Sequence, residues 1–128
     1  MKGILLDTHV LIWFVEGNNR LSAKARYDLD NPLNKRFVSI VSLWEVVIKA
    51  SLNRLDFVKT ANEVTALLEI NDIKLLNISL IQLDILSTLP HHHNDPFDRL
   101  LIAQAITEDL TIISADRHFD AYPVNVSW

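Results

Sequence analysis

Asp7, Glu45, Asp98 and Asp116 are the side chains whose type and position in this chain point most directly to chemistry. Each sits beside an apolar run or where one starts, at an expected strand or helix terminus. Ile4-Leu5-Leu6 runs into Asp7, Leu43 and Trp44 precede Glu45, Leu100 to Ala103 follow Asp98, and Ile112-Ile113 comes just before Ser114-Ala115-Asp116. Four carboxylates cannot stay ionised together in a small space without a cation between them. The economical expectation is a site for a hard divalent metal, and with it metal-assisted phosphodiester chemistry.

Each acid taken alone has a structural explanation. Asp7 fits as the cap of a helix beginning at Thr8. Ser42-Leu43-Trp44-Glu45 matches a capping box, with Glu45 reaching back to Ser42. Asp95-Pro96-Phe97-Asp98 reads as an N-cap, a proline at the first helical position and a third-position acid. Asp116 suits a short turn before His118-Phe119. Two features favour the functional reading. Glu45 lies among Val41, Leu43, Trp44, Val47 and Ile48, and a partly buried acid needs a partner. Asp95 already supplies the cap of its helix, which leaves Asp98 free and makes Asp95 a supporting residue.

Basic residues follow the acids. Lys49, Arg54, Arg99 and Arg117 are candidates for phosphate contacts or, equally, solvated surface charges. His9 and His118 stand next to Asp7 and Asp116 and are candidates for the same contact. His91-His92-His93 is expected to be a loop beside the site rather than a ligand set, since adjacent residues share no face of a helix or strand. Trp13, Phe14 and Trp44 are expected in the core or a subunit interface rather than as base-stacking platforms.

The elements that must position these residues follow from periodicity and breakers. Strands are expected at 4–6, 36–40, 73–78, 110–113 and 124–126. Helices are expected at 8–15, 22–29, 42–52, 60–70, 79–86 and from 95 to about 107. Val64, Leu67 and Leu68 form the apolar stripe of the fourth helix. Strands alternating with helices imply βαβ units and a mostly parallel sheet. Such sheets hold ligands beyond the carboxyl ends of their strands. Asp7 and Asp116 then share one edge, provided the first and fourth strands are neighbours.

Composition narrows the classes. At 128 residues, residues 1–128 are expected to form one domain. Hydrophobic residues at 49% suffice for a packed core and exceed what a disordered chain carries. No apolar run is long enough for a bilayer or a signal peptide, so no membrane association is expected. The lack of cysteine excludes disulfides and thiolate metal sites and makes the cytoplasm the expected location. Two glycines, Gly3 and Gly17, cannot build a phosphate-cradling loop. A net charge of −4 argues against coating nucleic acid by bulk positive charge, but not against handling RNA locally.

Taken in order, Leu5-Leu6-Asp7-Thr8-His9, Ser42-Leu43-Trp44-Glu45, Asp95 to Ala105 and Ser114-Ala115-Asp116-Arg117-His118-Phe119 resemble a PIN domain over nearly the whole chain. Within that group they are similar to the VapC toxins of type II toxin–antitoxin pairs. The resemblance implies an α/β/α sandwich with a central parallel sheet in the order 3-2-1-4-5, which makes strands one and four neighbours. It implies Mg²⁺, with Mn²⁺ as the alternative, bound by Asp7, Glu45, Asp98 and Asp116, with Thr8 and Ser114 as supporting hydroxyls. It further implies endoribonuclease activity, a homodimer and inhibition by a cognate antitoxin. Beside the resemblance, Arg99, Arg117 and His9 stay candidates for substrate contact from their positions alone.

Three rivals can be weighed. A haloacid-dehalogenase-type aspartyl-phosphate enzyme needs a second acid two positions after the first, where this chain has His9. A phosphoacceptor receiver domain needs paired acids after strand one and a late lysine, and the last lysine here is Lys74. The remaining alternative is a non-cleaving module of the same fold that binds RNA or protein.

Overall fold

A computed structural model describes residues 2–52 and 60–128. The chain runs β1 (Lys2–Leu6), α1 (Thr8–Glu16), α2 (Ala23–Asp30), β2 (Asn34–Ser39), α3 (Ile40–Ser51), α4 (Ala61–Ile70) and β3 (Ile73–Leu76). It continues with α5 (Leu80–Thr88), α6 (Pro96–Glu108), β4 (Thr111–Ile113), a 3₁₀ turn at Arg117–Ala121 and β5 (Asn125–Ser127). The five strands form one sheet in the order β3-β2-β1-β4-β5, and every pairing is parallel. This is the expected PIN-like sandwich.

Alternation along the central strands divides the core in two. Ile4 and Leu6 point to one face, with Val10, Leu11, Leu29, Val38, Val46 and Val64. Leu5 points to the other, with Leu101, Ile102, Ile112 and Phe119. A fully parallel sheet is covered on both faces, and its strands are continuous apolar runs for that reason. Val64 and Leu68 are buried, as the stripe on the fourth helix requires.

Local chemistry sets most of the helix boundaries. Asp7, Ser22, Ser39, Thr60, Ser79 and Asp95 cap α1 to α6 in turn, each accepting a backbone N–H of the first turn. Such caps contribute about 1 kcal/mol each. Gly17 ends α1 at φ 66°, a left-handed conformation that costs glycine little.

Some boundaries differ from those the sequence suggests. The third helix starts at Ile40 rather than Ser42, because Ser39 takes the cap directly at the end of β2. Ser42 therefore lies inside the helix, and the Ser42–Glu45 capping box does not form. A capping box is present on α5, between Ser79 and Gln82. Strand β3 stops at Leu76, leaving Ile78 exposed. Among the described residues no helix is long and apolar enough to cross a membrane.

Candidate active site

The site lies where β1 and β4 end. Their register pairs Leu6 with Ile113, so the chain leaves both strands at the same edge, at Asp7 and Ser114. Asp7 is only 7% exposed. Its Oδ1 accepts the Val10 N–H at 2.8 Å, and its Oδ2 accepts a short hydrogen bond from the Ser114 hydroxyl. Ser114 Oγ in turn accepts the Asp116 N–H at 3.0 Å. One serine thus joins the two acids that follow neighbouring strands. The capping role of Asp7 is real, and it fixes the carboxylate at the sheet edge rather than competing with a functional role.

Glu45 arrives from α3. The Thr8 hydroxyl donates to its Oε1 at 2.7 Å and lies 3.0 Å from the Ser42 hydroxyl. Thr8 therefore holds the Glu45 carboxylate, and Ser42 belongs to this hydroxyl network rather than to a cap. Asp95 caps α6 through the Phe97 and Asp98 amides. That leaves the Asp98 side chain to meet His93, whose Nε2 lies 2.8 Å from Asp98 Oδ2 and 3.7 Å from Asp116 Oδ2. Asp116 caps the 3₁₀ turn, accepting the His118 N–H at 2.9 Å, and its Oδ1 lies 2.7 Å from the His118 ring Nδ1.

Burial and neighbouring charges set the electrostatics of the acids. Burial pushes the Asp7 carboxyl above its ordinary range, with Asp116 adding to the rise against the Ser114 and Val10 hydrogen bonds. Burial also raises Glu45, and Asp95 adds to it. Asp98 is pushed from 3.8 up to about 6, first by burial and then by the charges of Asp95 and Glu45, against the pull of His93. Burial acts upward on Asp116 too, but hydrogen bonds from the His118 amide and ring and the nearby His93 bring it below its ordinary value. Carboxylates and hydroxyls are hard oxygen donors, and three of the four acids gain if a cation joins them. The residues therefore fit Mg²⁺ or Mn²⁺.

A stability prediction follows from Asp98. A carboxyl raised in the folded state stabilises the protein while it is protonated, and loses that contribution as pH rises from about 4 through about 6. In EDTA, Asp98→Asn is expected to melt at the wild-type temperature at pH 4 and above it at pH 8. The difference should be about 1–2 kcal/mol after allowance for partial exposure. A gap between the two proteins that is independent of pH would contradict this.

Not every expected residue meets the site. Arg99 does not face substrate: it is 7% exposed and turns into the protein, donating to the carbonyls of Leu86, Leu89 and Pro90 and to the Tyr122 hydroxyl. It stands inside an otherwise apolar helix face, and its charge is met by carbonyls at the end of α5 and just after it. Arg117 is exposed, 3.8 Å from Asp120, in a polar cleft with Lys24, Ser114, Asp116 and Trp128. His9 is exposed, with its Nε2 3.3 Å from Lys49 Nζ. Arg54 lies outside the described residues. Trp13 and Phe14 pack partly buried against the core. Trp44, by contrast, is 60% exposed with its ring edge-on to Phe97 at 4.9 Å.

His93 is the site residue that sequence reasoning passed over. The histidine run is a loop beside the acids, as expected, but one of its members turns inward between Asp98 and Asp116 and stacks on His118 at 4.7 Å. The usable signal was its place just before the Asp95-Pro96 cap, which folds the chain back over the first turn of α6.

The PIN domain family model matches residues 4–125, and the chain belongs to that family. None of the curated proteins matches it in sequence. Solved structures share its fold at low identity. A chain of the VapBC2 complex of Rickettsia felis, bound to a DNA fragment from its promoter, matches with a TM-score of 0.72 and 16% identity, covering 98% of this chain and 97% of that one. A chain of a toxin–antitoxin complex from Klebsiella pneumoniae matches with a TM-score of 0.66 and 21% identity, covering 98% and 96%. A chain of VapBC-5 from Mycobacterium tuberculosis matches with a TM-score of 0.61 and 18% identity, covering 99% and 97%.

Proposed function

We propose that this chain is a metal-dependent endoribonuclease, the VapC-like toxin of a toxin–antitoxin pair acting in the cytoplasm. The observation that carries this reading is the buried Asp7 carboxylate. It is held by Ser114 at the ends of β1 and β4, beside Asp116, and two further acids, Glu45 and Asp98, lie near enough to each other for the charge of Glu45 to raise Asp98. Asp7 and Asp98 would hold Mg²⁺ or Mn²⁺ directly, and Glu45 and Asp116 through water. The bound ion would lower the pKa of an attacking water and neutralise charge on the scissile phosphate. Ser114 and Thr8 fix the orientations of Asp7 and Glu45. Arg117 and His9 stand exposed, and Lys49 half-buried, around the edge where an RNA backbone would pass. In-line attack would leave a 5′-phosphate and a 3′-hydroxyl.

One apolar surface supports the proposed self-association. Leu80, Ile81 and Leu83 on α5, with Ile78 beside them, are exposed and offer an apolar face to a second copy of the chain.

The purified chain, free of antitoxin, is expected to cleave total RNA in Mg²⁺ or Mn²⁺, to stop in EDTA and to leave 5′-phosphate ends. RNA binding without cleavage in either ion would favour the non-cleaving module instead.

A further inference from the structure

We propose that His93, Asp116 and His118 form a binding site for a borderline divalent transition cation, of which Zn²⁺ is the type. This site differs in chemistry from the all-oxygen set and shares one residue, Asp116, with it.

One nitrogen or oxygen from each of these residues lies within 4.8 Å of those from the other two. His93 Nε2 is 3.7 Å from Asp116 Oδ2, and His118 Nδ1 is 2.7 Å from Asp116 Oδ1. The two imidazole rings lie almost parallel, 13° apart, with centroids at 4.7 Å. Imidazole nitrogen selects zinc, nickel, cobalt and copper, whereas magnesium takes carboxylates and water. Bonds of about 2.0–2.2 Å to each ligand set the donor atoms about 3.3 Å apart, so the His93 and Asp116 donors must draw together and those of His118 and Asp116 must separate. His118 can make that movement, since its side chain is 65% exposed. His93 is the fixed partner: its side chain is 14% exposed, its amide lies 3.0 Å from the Tyr122 hydroxyl, and its ring meets the edge of Phe119 at 6.3 Å.

Asp116 is held in place independently of any ion. Ser114 Oγ accepts its N–H, and its own Oδ1 accepts the His118 N–H. Asp98, 2.8 Å from His93 Nε2, would give up that hydrogen bond when the nitrogen turns to a cation. The rest of the histidine run takes no part, since the His92 ring packs on Tyr122 at 5.3 Å. If the nuclease reading above is correct, a cation held here draws Asp116 away from the carboxylate set and opposes Mg²⁺. That consequence rests on the earlier proposal, but the binding itself does not.

Titration calorimetry of the whole chain with Zn²⁺, in Mg²⁺-free buffer and without RNA, tests the site directly. Visible absorption of bound Co²⁺ reports nitrogen ligation. One equivalent of Zn²⁺ is expected to bind. His93→Ala and His118→Ala should each weaken it by more than about tenfold, because removing even a residue behind a ligand costs about 10–100-fold. Asp7→Asn and the His91→Ala, His92→Ala double variant should bind as the wild type does, and circular dichroism should show all four folded. Three results would overturn the proposal. They are wild-type binding no tighter than that of His118→Ala, loss of binding in the His91, His92 double variant with His118→Ala unaffected, or loss in Asp7→Asn alone, which would place the ion among the oxygens. Because no RNA is present, failure of the nuclease reading would leave this measurement intact.

Discussion

Asp7→Asn is expected to lower Mg²⁺-dependent RNA cleavage by at least about a hundredfold, since even residues behind a metal ligand cost about 10–100-fold when lost. The fold should survive. Asparagine caps a helix as well as aspartate does, so its side-chain oxygen can still accept the Val10 N–H. The neutral amide also escapes the burial that raises the Asp7 carboxyl in the metal-free protein. Metal-free Asp7→Asn is therefore expected to melt no lower than the wild type at pH 7. Adding Mg²⁺ should raise the melting temperature of the wild type through linkage and leave that of the variant unmoved. Cleavage rates and melting curves with and without Mg²⁺ measure both halves. Wild-type cleavage by the variant, with contaminating nuclease excluded, would remove Asp7 from the mechanism.

The sequence revealed the acids more readily than what surrounds them. Asp7 and Asp116 were legible because a carboxylate just past an apolar strand is a local pattern, and parallel sheets turn strand ends into ligand sites. That the two strands are neighbours is not a local property, and only the family resemblance supplied it before the Leu6–Ile113 register showed it. Ser39 was hidden because Ile40, β-branched and following Phe37 and Val38, continues a strand pattern although it begins a helix. His93 was hidden because the three histidines were judged as one set. Which of them turns inward is a tertiary matter: the His92 ring packs on Tyr122, while His93 meets Asp98 and His118. The inward face of Arg99 was illegible for a related reason. A helical arginine next to an acid reads as surface charge, and its partners at residues 86, 89, 90 and 122 are remote or lie in other elements.

Arg99→Met is accordingly expected to cost stability rather than substrate affinity. The methionine keeps much of the buried volume but carries no donor. The Leu89 carbonyl loses a bond of 3.1 Å, and the Pro90 carbonyl and Tyr122 hydroxyl lose partners at 2.8 and 3.2 Å. Buried acceptors left without donors cost about 1–3 kcal/mol each when nothing replaces the bond. Pro90 is partly compensated, because Tyr122 still donates to it at 2.8 Å. The net expectation is about 2–3 kcal/mol, or a melting temperature lower by roughly 10 °C for a chain of this size. The same arginine ties the end of α5 to the loop that carries His93 and Asp95, so hydrogen exchange at the His92 and His93 amides should accelerate with the loss. Tyr122→Phe, which removes one hydroxyl from the same network, should have a smaller effect in the same direction. Arg117→Met, on an exposed side chain, should leave stability within about 0.5 kcal/mol and weaken RNA binding instead. If Arg99→Met melted with the wild type while losing RNA affinity, the guanidinium would have to leave its carbonyls to meet substrate, and the inward arrangement would not be its working state.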